Sequence, residues 1–306
     1  MAKLAQRTYT WLDDITDKKE LFATIRRLGK TDLYFLCKHI LGLKDLENQT
    51  TIHYGLCDFL ENMGERGLVV MFRESFKTSI GMGRVVQWLV NNVDEEVGIG
   101  SDITQRADQR VLVLKGTLEN CSALHYFYPD IFYKNPVQES DLWTTTAFNI
   151  KRTPYKGGMR MPSVSGFGLF PLPTGSHFSK VLMDDAENES NVNTEDLVTQ
   201  LVTRIGALMP TLQAGAQYLQ MGTVYHEKGP NTAYQSMWPT YRVPILDKHG
   251  NPTFPSRFPM ARILSRQKEI NDPYIWAGQY LLKHHPRTAK FFYPFRGDLI
   301  KTYNYV

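Results

Sequence analysis

The feature that most constrains this chain is an apolar run followed by a short polar loop and a helical pattern. The apolar run covers residues 67–71, and the helical pattern covers residues 80–92. The loop between them carries Lys77 followed by Thr78. A strand, a tight loop with Lys-Thr and a helix form the layout of a phosphate-binding loop, because backbone N–H groups at a helix N-terminus attract anions. The stretch predicts a nucleotide site in which Lys77 binds the β- and γ-phosphates and the Thr78 hydroxyl binds magnesium.

The loop departs from the usual GxxxxGK[ST] pattern, since Met71 and Phe76 occupy the two glycine positions. We therefore expect Phe76 to fit without a positive backbone angle, or the loop to take another shape. The simpler alternative is a buried strand followed by a helix with an exposed lysine. Under the nucleotide hypothesis, the loop residues predicted to bind the nucleotide are Arg73, Glu74, Ser75, Phe76, Lys77, Thr78 and Ser79.

A second motif is a pair of acids, Asp184 and Asp185, that ends an apolar run. In P-loop enzymes the first acid of such a pair holds magnesium and a neighbouring acid polarises the attacking water. Two adjacent carboxylates at the end of a buried strand are costly unless a cation lies nearby. Glu187 and Glu189 follow at once and add to the repulsion, which a divalent cation would relieve. The alternative is a polar strand end that enters a turn.

A third motif, Gly222-Thr223, follows the predicted strand 217–221. A glycine and a small hydroxyl residue at this point fit the crevice where open α/β sheets bind ligands.

Composition narrows the class of protein. Hydrophobic residues make up 42% of the 306 residues, which predicts a packed core, and the net charge of +4 permits an anionic partner without requiring one. The three cysteines lack the spacing of a zinc site, so we interpret them as reduced thiols. The sequence opens without a signal-peptide pattern and holds no apolar run of about eighteen residues, so we expect no membrane association.

Helical periodicity predicts three helices before the loop, and His53 on the third is either a satisfied histidine or part of the site. Arg106 and Arg110 share one face of a predicted helix capped by Asp102, and that face is either solvated or reaches phosphate. Residues 144–164 predict a hairpin with a turn at 156–158. Further predicted helices cover residues 193–209, 259–270 and 273–282.

The motifs, taken in order, resemble the large terminase subunits of tailed bacteriophages, the ATPases that pump DNA into procapsids. Arg73 stands four residues before Lys77, where that family's variant Walker A motif carries an arginine. The approach to Asp184-Asp185 resembles its Walker B motif, and Gly222-Thr223 followed by Val224-Tyr225-His226-Glu227 resembles its coupling motif. The segments Phe254-Pro255-Ser256-Arg257-Phe258 and Trp276-Ala277-Gly278-Gln279-Tyr280-Leu281 resemble the end of its ATPase domain.

The resemblance implies an α/β fold, a P-loop NTPase of the ASCE type with a mostly parallel central sheet flanked by helices. Residues 1–66 would form a helical lead-in packed on the ATPase core. Residues 67–286 would form that core, with a small closing subdomain from about residue 240. Residues 287–306, which mix basic and aromatic side chains, would link to a nuclease domain that this chain lacks, so no nuclease activity is expected.

The resemblance also implies roles and ligands. ATP and Mg²⁺ are the expected cofactors, with Thr78 and Asp184 as metal ligands. Asp185 or Glu187 would be the catalytic acid, Arg73 would touch or sense the γ-phosphate, and His53 falls near an adenine-contacting position. Gly222 and Thr223 would couple hydrolysis to motion.

The partners implied are double-stranded DNA, a portal protein, a small terminase subunit and further copies of the chain in a ring of five, in the host cytoplasm. The region before Asp184 lacks the family's subunit-to-subunit arginine. Alternatives to the motor are a helicase-like ATPase and a P-loop-derived DNA-binding scaffold without hydrolysis. The substitutes for the missing arginine are Arg106, Arg110, Arg152 and Arg160.

Overall fold

The computed structural model describes residues 9–46 and 52–284, apart from residues 156, 158, 159 and 174. Within that part of the chain, seven strands form one sheet in the order β3-β4-β2-β5-β6-β1-β7. Every pairing is parallel except that of β3 with β4. This architecture confirms the predicted α/β fold with a mostly parallel sheet. The strands are β1 Arg66–Met71, β2 Val97–Ile103, β3 Ala147–Phe148, β4 Val164–Phe170, β5 Lys180–Asp184, β6 Gln217–Gly222 and β7 Thr240–Val243.

Helices cover both faces of the sheet. Successive side chains of a strand point to opposite faces, so Val69 of β1 joins one apolar cluster and Val70 joins the other. The first cluster includes the helices before β1, and the second includes α8. The helices are α1 Lys18–Thr31, α2 Leu33–Phe35 (continued by a π-helix, Leu36–Ile40), α3 His53–Asn62, α4 Lys77–Asn91, α5 Thr104–Asn120, α6 Ser122–Phe127, α7 Pro136–Glu139, α8 Glu195–Leu208, α9 Pro230–Ala233, α10 Met260–Ile270 and α11 Pro273–Gln279.

The strand order places the three sequence motifs at one edge of the sheet. β6 lies between β1 and β5, with Gly222 opposite Val70 and Met221 opposite Asp184. The carboxyl ends of these parallel strands therefore meet, and such an edge is where open α/β sheets form a crevice for ligands.

Two strands were not predicted from the sequence. Segment 164–170 is rich in glycine, a residue depleted in strands, yet it forms β4 because α5 packs against it closely. A Cβ at Gly168 would lie 2.5 Å from the backbone nitrogen of Thr104, so only glycine fits. The other strand, β7, lies in the predicted closing subdomain and pairs with β1 in the central sheet.

The structure also tests the predicted Asp102 cap and the predicted hairpin. Asp102 lies inside β2 and does not cap α5, whose first turn has no side-chain cap; its carboxylate accepts hydrogen bonds from Ser101, Arg106 and Asn188 instead. The predicted hairpin is confirmed only in part: β3 and β4 pair antiparallel, with Phe148 opposite Val164, but β4 begins at the last residue of the predicted segment 144–164 and continues to Phe170. Most of its turn, and the predicted linker 287–306, lie outside the described residues.

Candidate active site

The loop between β1 and α4, residues 72–76, contains no glycine. Glu74 and Phe76 both have positive φ, 65° and 64°, and Phe76 is the N-cap residue of α4. The expectation that Phe76 would avoid a positive angle is therefore wrong. A left-handed conformation costs a side-chain-bearing residue about 1–2 kcal/mol, so other contacts must offset this strain.

The ring of Phe76 supplies those contacts. The Arg257 guanidinium lies 4.9 Å from its centroid, a cation–π distance, and the ring of Phe254 lies 6.1 Å away. His53 meets the same ring edge-on at 5.8 Å. Arg257 also forms an ion pair with Glu74, so it contacts both residues with positive φ. The closing segment therefore clamps the loop in the conformation that glycine would otherwise allow.

Lys77 and Thr78 begin α4 and face the two acids across β6. The Thr78 hydroxyl lies 3.1 and 3.2 Å from the two carboxylate oxygens of Asp184. Lys77 is buried, and its Nζ lies 3.9 Å from Oδ1 of Asp185. The side chains that the sequence predicts for phosphate and magnesium thus converge, although more than 100 positions separate Thr78 from Asp184.

An arginine from α5 completes this cluster. The Nε of Arg110 donates to Oδ2 of Asp184 at 2.7 Å, and its Nη2 lies 3.6 Å from Oδ2 of Asp185. Asp184 is fully buried, so a carboxylate there needs a nearby cation. Burial raises the pKa of Asp184 to about 6, and the neighbouring Asp185 adds to the rise, while Arg110 and Lys77 oppose it.

The donor set fits a magnesium ion. Magnesium in nucleotide enzymes takes one or two protein oxygens, with phosphate and water supplying the rest. The Thr78 hydroxyl and the Asp184 carboxylate are hard oxygen donors in contact with each other. Within the described ranges, no group of three or more His, Cys, Asp or Glu side chains is placed to hold a metal ion.

The two candidate catalytic acids differ sharply in their surroundings. The side chain of Asp185 is 39% exposed and faces Lys77, and the residue has a positive φ of 51°. Glu187 is completely buried and accepts three backbone N–H bonds, from Tyr225, His226 and Asn231, at 2.8, 3.1 and 2.8 Å. Both oxygens of Glu187 are thus engaged, whereas Asp185 is open to solvent.

Glu187 instead ties the acid-bearing loop to the predicted coupling motif. Asn231, at the start of α9, donates its backbone N–H to Glu187 and its side-chain amide to the Thr223 carbonyl at 2.7 Å. A Cβ on Gly222 would lie 2.4 Å from that amide nitrogen, which explains a glycine there. Burial raises the pKa of Glu187 to about 7, against the effect of its three N–H partners.

Arg73 and Glu74 connect the loop to its surroundings. Arg73 is exposed, and its Nη2 donates to the Tyr225 hydroxyl at 2.7 Å, which links the loop to the segment after β6. Its backbone N–H bonds to the Gln279 carbonyl of α11 at 3.2 Å. Besides Arg257, Glu74 pairs with Arg266 at 3.2 Å.

Ser75, Ser79 and His53 are the remaining residues predicted to bind the nucleotide, and none of the three forms a hydrogen bond with the acid pair among the described residues. The Ser75 hydroxyl is buried and has no hydrogen-bond partner among the described residues, whereas half-buried Ser79 lies in the first turn of α4. The Nε2 of His53 lies 3.1 Å from the Ser75 carbonyl. Burial lowers the pKa of His53 to about 4, so the neutral ring donates a hydrogen bond there. Because His53 is completely buried, it supports the loop backbone in this structure.

The four arginines proposed as substitutes separate into three environments. Arg110 contacts the acid pair, and Arg106, one turn earlier on α5, bonds to Asp102. Arg152 and Arg160 form ion pairs with Glu96 and Asp94, which precede β2 and so lie at the opposite edge of the sheet. Of the four, only Arg110 reaches the site within one copy of the chain.

Sequence reasoning missed the roles of Arg110, Asn231 and Arg257. The ion pair between Arg110 and Asp184 joins residues 74 positions apart, and no local pattern announces it. Asn231 carries a weak signal, because the preceding Gly229-Pro230 marks the start of a helix.

No helix in the described part of the chain is long and apolar enough to cross a membrane.

Comparisons with solved structures find similar chains, two of which are described here. One is the ATPase domain of the large terminase of Thermus phage P74-26, with 11% identity and a TM-score of 0.45. The other is an arginine-to-alanine mutant of that domain, with 14% identity and a TM-score of 0.43. Each match covers 76% of this chain and 94% of the other. Both come from the family that the sequence motifs resemble. No family profile and no curated protein matches the sequence.

Proposed function

We propose that this chain is a magnesium-dependent ATPase whose hydrolysis drives double-stranded DNA into a viral procapsid. The observation that carries the ATPase proposal is the meeting of Lys77 and Thr78 with Asp184 and Asp185 across β6. Those side chains, at a helix N-terminus and a strand end, supply what phosphoryl transfer needs: positioning and charge stabilisation.

The chain's own residues divide the work of phosphate binding. Lys77 and the backbone N–H groups at the start of α4 bind the phosphates, with the helix dipole adding to the attraction. Thr78 and Asp184 would hold magnesium, which when bound neutralises charge that builds up on the phosphate oxygens. Exposed Arg73 lies on the same loop and reaches the γ-phosphate, a role that requires it to leave Tyr225.

We assign the catalytic base to Asp185. Its side chain is exposed to solvent and lies next to Lys77, which binds the terminal phosphates. A water molecule placed between Asp185 and the γ-phosphate would therefore lie within hydrogen-bond reach of this carboxylate. Glu187 is completely buried and its carboxylate already accepts three backbone N–H bonds, so it is less well placed than Asp185 to reach a water molecule. Its position instead favours a mechanical role, in which movement of the acid loop is passed to Thr223 through Asn231.

The DNA, portal, small-subunit and ring assignments rest on the order of the sequence motifs. A motor of this kind grips the DNA backbone, so its binding should be independent of base sequence and weaken with salt. A strong base-sequence preference would contradict the motor and favour a DNA-binding scaffold.

The enzymatic part is tested by ATP turnover with MgCl₂ in the presence of double-stranded DNA. Lys77→Ala and Asp185→Asn should each lower kcat by about 100-fold or more, the range lost with a positioned acid–base or phosphate-binding group. Lys19→Ala, at an exposed position on α1, is the matched lysine control and should retain full activity. Undiminished turnover in Lys77→Ala would remove this lysine from the mechanism.

A further inference from the structure

We infer that Arg110 is an exchangeable counter-ion of the acid pair. It binds Asp184 when no divalent cation is present, and it competes with a divalent cation for that carboxylate. The inference rests on the proposed function, because it assigns the metal site to Thr78 and Asp184. It adds a residue that sets how readily the metal enters.

Arg110 compensates the charge of a buried carboxylate. Asp184 is fully buried beside Asp185, and Arg110 is its sole ion-pair partner among the described residues. The other nearby cation, Lys77, lies 3.9 Å from Asp185 and makes no ion pair with Asp184. Without Arg110 or a metal ion, the buried carboxylate would be left with the Thr78 hydroxyl alone. Uncompensated buried charge is strongly destabilising.

Arg110 and the proposed metal ligands share one carboxylate oxygen. Arg110 donates through Nε to Oδ2 of Asp184, the same oxygen that lies 3.2 Å from the Thr78 hydroxyl. A cation that binds both Thr78 and Asp184 would therefore lie close to the guanidinium. Two cations at such a distance repel strongly in a buried setting, so the metal and this Arg110 contact exclude each other.

The Arg110 side chain can leave Asp184 without disturbing the rest of the site. Its side chain is 32% exposed, whereas Asp184 is not exposed at all. The long arginine side chain can therefore swing toward solvent from α5 while the carboxylate stays in place. The exchange needs no movement of the sheet.

Arg106 provides a matched control on the same helix. It lies one turn before Arg110 and makes a comparable bond, 2.6 Å from Nη1 to Oδ2 of buried Asp102. Removing either arginine deletes one guanidinium from α5 and one ion pair with a buried aspartate. Only Arg110 touches the proposed metal ligand.

The test uses MnCl₂ alone, without nucleotide, on the full chain. Calorimetric titration should show that Arg110→Gln binds Mn²⁺ about tenfold more tightly than the unmodified chain, because no guanidinium then competes for the Asp184 carboxylate. Arg106→Gln should match the unmodified chain. In EDTA the Tm of Arg110→Gln should fall by about 5 °C, and MnCl₂ should restore it. Equal responses to MnCl₂ in the unmodified chain and Arg110→Gln would overturn the inference.

A second variant covers the case in which Arg110→Gln does not fold in EDTA. Adding Asp184→Asn removes the unpaired buried charge, so the double variant should regain most of the lost stability. If the double variant is as unstable as Arg110→Gln, Arg110 stabilises by packing and the counter-ion role is wrong. Binding of an ATP analogue is measured separately. If the unmodified chain does not bind the analogue, the proposed function is refuted, whereas equal Mn²⁺ binding by the unmodified chain and Arg110→Gln refutes only this inference.

Discussion

Glu187→Gln tests whether this buried acid joins the acid loop to the coupling motif or activates water. The amide oxygen can accept from Tyr225 and His226, but the amide NH₂ then faces the Asn231 N–H, donor against donor. Leaving that buried donor unsatisfied costs about 1–3 kcal/mol. The substitution also removes a carboxylate whose ionisation is unfavourable in the folded chain, and this gain depends on pH.

The size of the pH effect follows from the pKa. Burial raises the pKa of Glu187 from 4.5 to about 7. Its contribution is therefore fully present below pH 4.5 and is lost as the pH rises to about 7, and the difference between these two pKa values corresponds to about 3 kcal/mol. The unmodified chain should lose about 3 kcal/mol more than Glu187→Gln across that window. Near pH 8 the gain and the lost hydrogen bond nearly cancel, so the two proteins should have similar stability.

The assay is urea unfolding at several pH values from 4.5 to 8, compared between the two proteins, because the difference removes the effect of other titrating groups. ATP turnover is measured on the same samples. Glu187→Gln should keep turnover within about tenfold, against a loss of about 100-fold or more in Asp185→Asn. Parallel stability curves would refute the buried, raised-pKa description, and a greater loss of turnover in Glu187→Gln would refute the assignment of the base to Asp185.

Two further predictions concern the loop and the coupling motif. Burial lowers the pKa of His53 from 6.5 to about 4, so its contribution to stability is present above pH 6.5 and is lost as the pH falls to about 4. The unmodified chain should lose about 3 kcal/mol more than His53→Gln over that window in urea unfolding, and an equal loss would contradict the buried neutral ring. Gly222→Ala should cost about 1–3 kcal/mol, since its Cβ meets the Asn231 amide. Gly206→Ala, where the Cβ has open space, should be neutral or stabilising, and equal effects at both glycines would refute the contact.

The fold was largely predictable from sequence because several helices carry periodic apolar patterns and the central strands are short continuous apolar runs. The run 181–183 before the acid pair and the run 67–71 before the loop both form buried parallel strands. The strand at 164–170 was not predicted because its glycines are required by the close packing of α5. That packing is a tertiary contact, which local propensity does not contain. The prediction for the backbone angle of Phe76 was wrong for a related reason. The contacts that stabilise its positive φ come from Arg257 and Phe254, which are distant in sequence.

The candidate site divides in the same way. Lys77, Thr78 and Asp184 could be named because each stands at a fixed place relative to a strand or helix end. Arg110 could not be assigned, because an arginine on a helix face contacts solvent, phosphate or an acid according to the packing of α5 on the sheet. The hydrogen bond between Glu187 and Asn231 could not be predicted either, because it depends on where α9 lies in the fold.

The most direct test of the central claim is binding of a slowly hydrolysed ATP analogue with MgCl₂, measured by calorimetry. It compares the unmodified chain with Lys77→Ala and with the exposed control Lys19→Ala. We expect the unmodified chain and the control to bind, and the affinity of Lys77→Ala to fall by about 100-fold or more, since a charged phosphate contact in a partly buried site is worth about 3 kcal/mol. Equal binding by Lys77→Ala, or no binding by the unmodified chain, would contradict the claim that this loop without glycine binds phosphate.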